Sequence, residues 1–400
     1  MSRRVLITGL GVASPIGIGK TDFWRGICDG RTGIAEIKAF DTSSFDTHRG
    51  GEIFDFQPEQ YFQRLDPTKV PRTTQLAVAT ARMAWEDAGS PALSDVTSSV
   101  CFGTTMGNQS LVETTNDHWR QGLHELPLPA ATYTPAYIAQ VVALELGTAG
   151  PFLVLPTACA AGNYAIGWGY ELIRSGRAEI VIAGGADALS RGCYAVFHSL
   201  KAMAPQHCQP FDRNRRGMLV SEGAGVLILE SEDHLRRRGA KAYAELVSYA
   251  LSCDAYHATA PHPNGAGASA AMLKALDRAN CAPEEVSYIS AHGTGTKAND
   301  ATESMAVRSV FGDQVDSVPV SSIKSMIGHT MGAASAIEAV VSVLSIHHGI
   351  LPPTRNFEEP DPECLSNVVP NEPQIADVNV VLSNSFGFGG NIATIVLKRL

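Results

Sequence analysis

Short apolar, β-branched runs recur along the whole chain, at residues 5–8, 100–103, 152–155, 180–183, 226–229, 286–290, 318–321, 378–382 and 394–397. Such brief runs, bounded by Gly, Pro and polar residues, have the length of strands buried in a sheet. Longer stretches with helical periodicity lie between several of them, at 74–88, 163–175, 268–279, 302–311 and 333–348. This alternation predicts an α/β fold with centrally buried sheets. A charged helical pattern at 230–239 and a strand-like run at 244–250 sit mid-chain, with no Pro/Gly/Ser linker after them. The expected organisation is two intimately packed halves, 1–250 and 251–400.

Composition closes off several function classes. Eight cysteines stand singly at 28, 101, 159, 193, 208, 253, 281 and 364 with no CxxC pair, which predicts a reducing, cytoplasmic setting. No 18-residue run is uninterruptedly apolar, and the first strand-like run breaks at Gly9 and Gly11, so neither a membrane span nor a signal peptide is expected. The formal net charge of −9 argues against nucleic acid or an anionic membrane as the main partner. Gly9-Leu-Gly11-Val-Ala-Ser14 imitates a dinucleotide fingerprint, but its third glycine is Ser14 and the downstream acidic residue is missing. Gly217 and Gly223-Ala-Gly225 lack the Gly-Lys-Ser/Thr of a phosphate loop. His257, His262 and the His347–His348 pair have no metal-ligand spacing, so no metal is expected and structural or solvated roles are.

Candidate chemistry starts at Cys159. The segment Phe152-Leu-Val-Leu-Pro-Thr-Ala-Cys159-Ala-Ala-Gly162 reads as a strand, a tight turn and a helix. A cysteine at a helix N-terminus meets free N–H groups and the positive end of the dipole, which favour the thiolate. A lone cysteine is most often a small buried hydrophobe. This one has company, because Ala291-His292-Gly-Thr-Gly-Thr296 and Ser321-Ser-Ile-Lys324-Ser-Met-Ile-Gly328-His329 also follow strand-like runs directly. Two histidines and a lysine thus emerge from strand ends among glycines that let a substrate approach the backbone.

Those segments, with Thr157-Ala-Cys159-Ala and Asn384-Ser-Phe-Gly-Phe388-Gly-Gly390-Asn391, resemble the signatures of β-ketoacyl-(acyl carrier protein) synthases, in the family's order. Supporting segments match too: Val5-Leu-Ile-Thr-Gly-Leu-Gly, Ala183-Gly-Gly-Ala-Asp187, Pro210-Phe-Asp212, Ser221-Glu-Gly-Ala-Gly225 and Cys253-Asp-Ala-Tyr-His257. The resemblance implies a thiolase-like fold of two pseudo-duplicated α/β/α/β/α halves with mixed sheets, assembled as a dimer. It implies a decarboxylative Claisen condensation between an acyl group on Cys159 and malonyl carried by acyl carrier protein, with no tightly bound cofactor. His292 and His329 would assist decarboxylation, Lys324 with Glu338 as its partner would support the site, and the N–H groups of Cys159 and Phe388 would form the oxyanion hole.

Thr294 and Thr296 would bond the pantetheine arm, and Gly387, Gly389 and Gly390 would free the loop around Phe388, which would gate the acyl pocket. Met106, and Tyr133 from a second subunit, would shape the pocket's far end. Lys69, Arg72 and Arg213 are candidates for a basic patch that meets the acidic carrier protein. The chain departs from the family pattern in three places: one loop residue is missing after Gly390, Thr104-Thr105-Met106-Gly107 is less glycine-rich, and Ser335 stands where glycine is frequent. A specialised acyl substrate is the expectation. A non-catalytic chain-length-factor subunit would lack Cys159, and a thiolase acting on CoA thioesters would carry a cysteine where this chain has His329. A homodimer, or a heterodimer with a chain-length-factor-like subunit, is the expected assembly.

Overall fold

The computed structural model describes residues 3–93 and 96–400. Ten strands carry the architecture: β1 (Val5–Ser14), β2 (Ser98–Gly103), β3 (Phe152–Leu155), β4 (Ile180–Asp187), β5 (Gly223–Ser231), β6 (Ala244–Cys253), β7 (Tyr288–Ser290), β8 (Val320–Ser321), β9 (Val380–Gly387) and β10 (Asn391–Lys398). Each run read as a strand lies in or overlaps one of them. The helices that position the site are α1 (Arg72–Asp87), α2 (Ala136–Leu146), α3 (Ala161–Arg174), α4 (Arg191–Ser199), α5 (Ala266–Ala279), α6 (Lys297–Phe311), α7 (Lys324–Ile327) and α8 (Ala334–His348).

The strand order is β8-β7-β9-β10-β6-β1-β5-β4-β2-β3. Counted from its own first strand, each half has the same internal order. The directions repeat as well. β2 is parallel to β3 and β4, and β5 is antiparallel to β4 and β1. In the second half β7 is parallel to β8 and β9, and β10 is antiparallel to β9 and β6. The halves join where Val5, Leu6 and Ile7 of β1 pair antiparallel with Leu246, Glu245 and Ala244 of β6. The expected boundary at 250 falls inside β6.

Parallel neighbours require crossovers, and helices supply them. The crossover helices α1 and α2 pack on one face of the first half's strands, and α5 packs on the second half's. Between the two sets of strands lie α3 and α8, in contact with each other and with both. Every residue of α8 from Ala334 to Ile346 is buried. The 18 residues Met331–His348 are long and apolar enough to span a bilayer by composition, yet 89% of them are buried inside the fold. They serve as a core helix. A Cβ on Gly162 of α3 would lie 2.6 Å from the Ala336 nitrogen and 2.7 Å from Ser335 Oγ of α8, so only glycine permits this approach.

β3 departs from the expectation of buried strands. It is a sheet edge, and Phe152 and Leu153 are 44% and 36% exposed. The two crossovers that follow β3 and β8 share one local form. Ala158 (φ 52°) and Met331 (φ 50°) each begin a 3₁₀ turn, Ala158–Ala160 and Met331–Ala333, which runs straight into α3 and α8 respectively. Positive φ in a residue with a side chain stores local strain, and surrounding packing must hold it.

Candidate active site

Cys159 sits in the 3₁₀ turn ahead of α3, with its side chain buried. Its sulfur receives its own N–H and that of Phe388, while Ser385 Oγ donates to its carbonyl at 2.9 Å. The turn and the Phe388 loop therefore aim two main-chain donors at one reactive atom. Burial pushes the thiol up to about 12, with Asp187 raising it further and Lys324 and the two N–H groups pulling the other way. Desolvation thus opposes the pull of the helix N-terminus toward the thiolate.

His292 follows β7, His329 follows α7, and their rings stand 5.4 Å apart, nearly perpendicular. Lys324 Nζ donates to the His292 carbonyl at 2.6 Å and lies 3.4 Å from His292 Nδ1. A lysine offers only donors, so Nδ1 must accept and the ring proton stays on Nε2. Met331 N–H donates to His329 Nδ1 at 3.2 Å, which fixes the same tautomer there. Burial first, then the Lys324 charge, hold both imidazoles well below their ordinary pKa, and His329 adds to the effect on His292. Both rings are neutral Nε2–H donors. Lys324 is anchored by Glu338 Oε1 of α8. Burial raises the Glu338 carboxyl to about 7 against the pull of Lys324.

Three buried carboxylates hold the loops, and sequence reading assigned none of them. Glu303 accepts the N–H groups of His292 and Gly293, each at 2.8 Å, and burial raises it to about 7. Asp300 accepts from Phe211, Thr294 and Gly295 N–H and stands 3.6 Å from the fully buried Arg215. Asp187, raised to about 6 by burial, accepts from Thr104 Oγ1 and from the N–H groups of Thr105, Met106 and Gly332. Asp187 was visible as part of a motif. The others carry no signal beyond an acidic residue in or just before a predicted helix, because their partners are largely backbone groups.

A cavity of about 260 Å³ opens onto Cys159, His292, His329, Thr294, Thr296, Gly387 and Phe388. Its walls are largely apolar, including Phe197, Leu200, Met218 and Ile392. Phe388 packs against Phe197 of α4 with ring centroids 5.5 Å apart. Thr294 and Thr296 share a hydrogen bond of 2.9 Å at the N-terminus of α6. A side chain on Gly387 would press on the Thr157 carbonyl and the Cys159 nitrogen. Gly389 (φ 77°) lies behind, donating to the Ala258 carbonyl at 2.8 Å. Asn391 begins β10 at once, and its Nδ2 donates to the Phe388 carbonyl at 2.9 Å.

Other expected residues lie elsewhere. Met106 is not on the cavity wall, although it packs with the apolar cluster that holds Phe197 and Phe388. Tyr133 is also off the wall within its own chain, its hydroxyl bonded to Thr115 Oγ1 at 2.6 Å. Ser335, read as a hint of substrate, sits between helices and accepts Asn163 N–H at 2.9 Å. Lys69, Arg72 and Arg213 all have acidic partners, Asp66, Glu222 and Glu359. Arg72 spends its fork on the buried Glu222 and the Ile53 carbonyl, so it holds the fold together at least as much as it presents charge. Among the described residues no group of three or more His, Cys, Asp or Glu has the arrangement to hold a metal.

The model of the β-ketoacyl synthase N-terminal domain matches residues 2–234, and that of the C-terminal domain matches residues 243–358. The chain belongs to the β-ketoacyl synthase family. A 3-oxoacyl-[acyl-carrier-protein] synthase 2 from a Synechocystis strain is 40% identical, over 99% of this chain and 98% of that one. The tetracenomycin polyketide synthase ketoacyl synthase alpha subunit of Streptomyces glaucescens is also 40% identical, over 99% and 97%. Among solved structures, the ishigamide ketosynthase/chain length factor superposes with a TM-score of 0.96 at 42% identity, over the whole of both chains. A type II polyketide ketosynthase captured with its acyl carrier protein gives 0.91 at 32% identity. This β-ketoacyl synthase has the thiolase-like fold and is an acyltransferase by class.

Proposed function

We propose that this β-ketoacyl synthase condenses an acyl group held on Cys159 with malonyl-(acyl carrier protein), releasing carbon dioxide and lengthening the chain by two carbons. The observation that carries the reading is the convergence of four donors on one cavity with a thiol. The N–H groups of Cys159 and Phe388 meet at sulfur, and His292 and His329 line the same space as neutral Nε2–H donors.

In the first half-reaction the Cys159 sulfur attacks the acyl thioester, the oxyanion rests on the two main-chain donors, and the pantetheine sulfur leaves with the proton. The second begins when the malonyl C–C bond breaks and carbon dioxide departs. Its electron pair becomes an enolate whose oxygen accepts from His292 and His329. The enolate carbon attacks the Cys159 thioester, a C–C bond forms, and the sulfur is released and reprotonated. Thr294 and Thr296 present hydroxyls to the pantetheine arm. Phe388, on the loop of Gly387 and Gly389, stands between the acyl pocket and the nucleophile.

Incubation with acyl carrier proteins bearing different acyl groups, followed by mass spectrometry of the Cys159 peptide, tests the reading and reveals the preferred acyl group. Cys159→Ala should give neither adduct nor condensation, and cerulenin should block both. Full condensation by that variant refutes the proposal.

The ishigamide ketosynthase is paired with a chain length factor. The open β3 edge, with its exposed Phe152 and Leu153, supports a second subunit here, either another copy or a chain-length-factor-like partner. Tyr133 would reach an acyl pocket only in such an assembly, and Met106 would shape the far end of that pocket. The repeated strand order supports two halves, the second opening with β6 and so a few residues ahead of the expected boundary at 250. Lys69 and Arg213, with the half-committed Arg72, are the proposed meeting points for the carrier protein. Charge reversal there should raise KM for the carrier-bound substrate with little change in kcat. Eight free thiols accord with a reducing compartment such as the cytoplasm.

A further inference from the structure

A second cavity, of about 230 Å³, is lined by Thr32, Arg49, Gln206, His207, Ser325 and Arg355 among others, and among the described residues no Asp or Glu lines it. Two guanidinium groups and an imidazole thus gather in a chain whose net charge is −9. Gathering like charges in a recess raises its affinity for anions. Each arginine is oriented by a single tether. Arg49 Nη2 donates to the Ile34 carbonyl at 3.1 Å, and Arg355 Nη1 to the Asn371 carbonyl at 2.7 Å.

The rest of both forks is available. Arg49 Nε is buried with no partner, and among the described residues no carboxylate stands within ion-pair distance of Arg49. The carboxylate beside Arg355 is Glu372, 3.6 Å away and 83% exposed. His207 makes no side-chain hydrogen bond among the described residues. Arg72 and Arg215, by contrast, are neutralised by Glu222 and Asp361. Gly30, at φ 61°, clears the path of Arg355, since a Cβ there would lie 3.0 Å from its Cδ and Nε.

We propose that this cavity binds a small phosphate-bearing anion, with Arg49 and Arg355 as fork donors and His207 as a third. Phosphate fits better than carboxylate. The three groups, with the Thr32 hydroxyl and the Gln206 amide, offer more donors than two carboxylate oxygens can use. The site is also coupled to the catalytic one. Arg355 N–H donates to Ser325 Oγ at 2.8 Å and Asn356 Nδ2 to the Ser325 carbonyl at 3.1 Å, and Ser325 follows Lys324 in α7. A bound phosphate braces the turn that holds the His292 anchor.

Calorimetric titration of the full chain with inorganic phosphate, glycerol 3-phosphate and malonate, at matched ionic strength in chloride buffer, tests the assignment. Saturable binding of a phosphate probe at one site is expected. Arg49→Gln should weaken it about tenfold or more, the cost of one hydrogen bond to a charged group. His207→Gln should weaken it less and serves as the second variant should Arg49→Gln melt early. The tighter of the two phosphate probes identifies the source as free phosphate or a phosphate ester. The proposal is overturned if neither phosphate binds saturably, if malonate binds as tightly, or if both variants bind like the parent.

Discussion

Lys324→Met separates the two half-reactions. The substitution removes the donor that fixes the His292 tautomer, through its bonds to the His292 carbonyl and Nδ1, and strands Glu338 in the core. Breaking a buried ion pair from one side costs about 3–5 kcal/mol of stability. Its pH dependence follows from Glu338, whose carboxyl already stands at about 7 with the cation beside it and moves higher without it. A folded pKa above the unfolded value gives stability that is complete below the unfolded pKa, about 4.3, and is lost as pH rises through the folded one. Urea melts of the variant should therefore lie nearest the parent around pH 5 and farthest around pH 8. Decarboxylation of malonyl carrier protein should fall about 10²–10³-fold, the usual worth of one oxyanion donor. Acylation of Cys159 should fall less, because its oxyanion rests on main-chain N–H groups. Carbon dioxide release and the mass of the Cys159 peptide, measured on one preparation, give the two rates. Lys324→Met/Glu338→Gln should recover stability without recovering decarboxylation. Equal loss in both half-reactions by a folded variant would refute the tautomer argument.

Glu303→Gln sets an amide NH₂ against one of two N–H donors, so a pH-independent cost of about 1–3 kcal/mol is expected. Against that, Glu303 stands at about 7 when folded, so its contribution fades as pH rises from about 4.3 through 7. The variant should close on the parent between about pH 5 and pH 8 in parallel urea melts, and a constant gap would show that Glu303 does not titrate as described. Gly162→Ala drives a methyl into Ala336 and Ser335 and should lower stability by about 1–3 kcal/mol in thermal melts, as overpacking does. Phe388→Ala removes the contact with Phe197, worth about 0.5–1.5 kcal/mol. It should also widen the range of acyl groups found on Cys159 by mass spectrometry.

What the sequence disclosed tracks the range of the interactions involved. The central strands were legible because burial on both faces leaves a continuous apolar run, as in 180–183 and 226–229. α2 gave no clear pattern, since Ile138, Ala139, Val141, Val142, Glu145 and Leu146 are all buried and no polar face marks its period. Cys159, His292, Lys324 and His329 could be picked out because strand ends and glycines announce them. The carboxylates that set their geometry could not: Asp300 reaches the backbone of Phe211, 89 residues away, and Asp187 that of Gly332, 145 away. No local pattern encodes a pairing of that span. The desolvation of the thiol was not legible for a related reason, since a helix start is local information and burial is not.

The matched turns at Ala158 and Met331 bear on how activity arises during folding. They occupy corresponding places in the two halves, one leading to the nucleophile and the other following the second imidazole, and each half alone holds only part of the reaction centre. Neither half alone can produce a competent site. Turnover thus reports the docking of α3 against α8, so a refolding chain should regain secondary structure before it regains condensation. Two separately expressed fragments cut before β6 should be silent apart and active once combined.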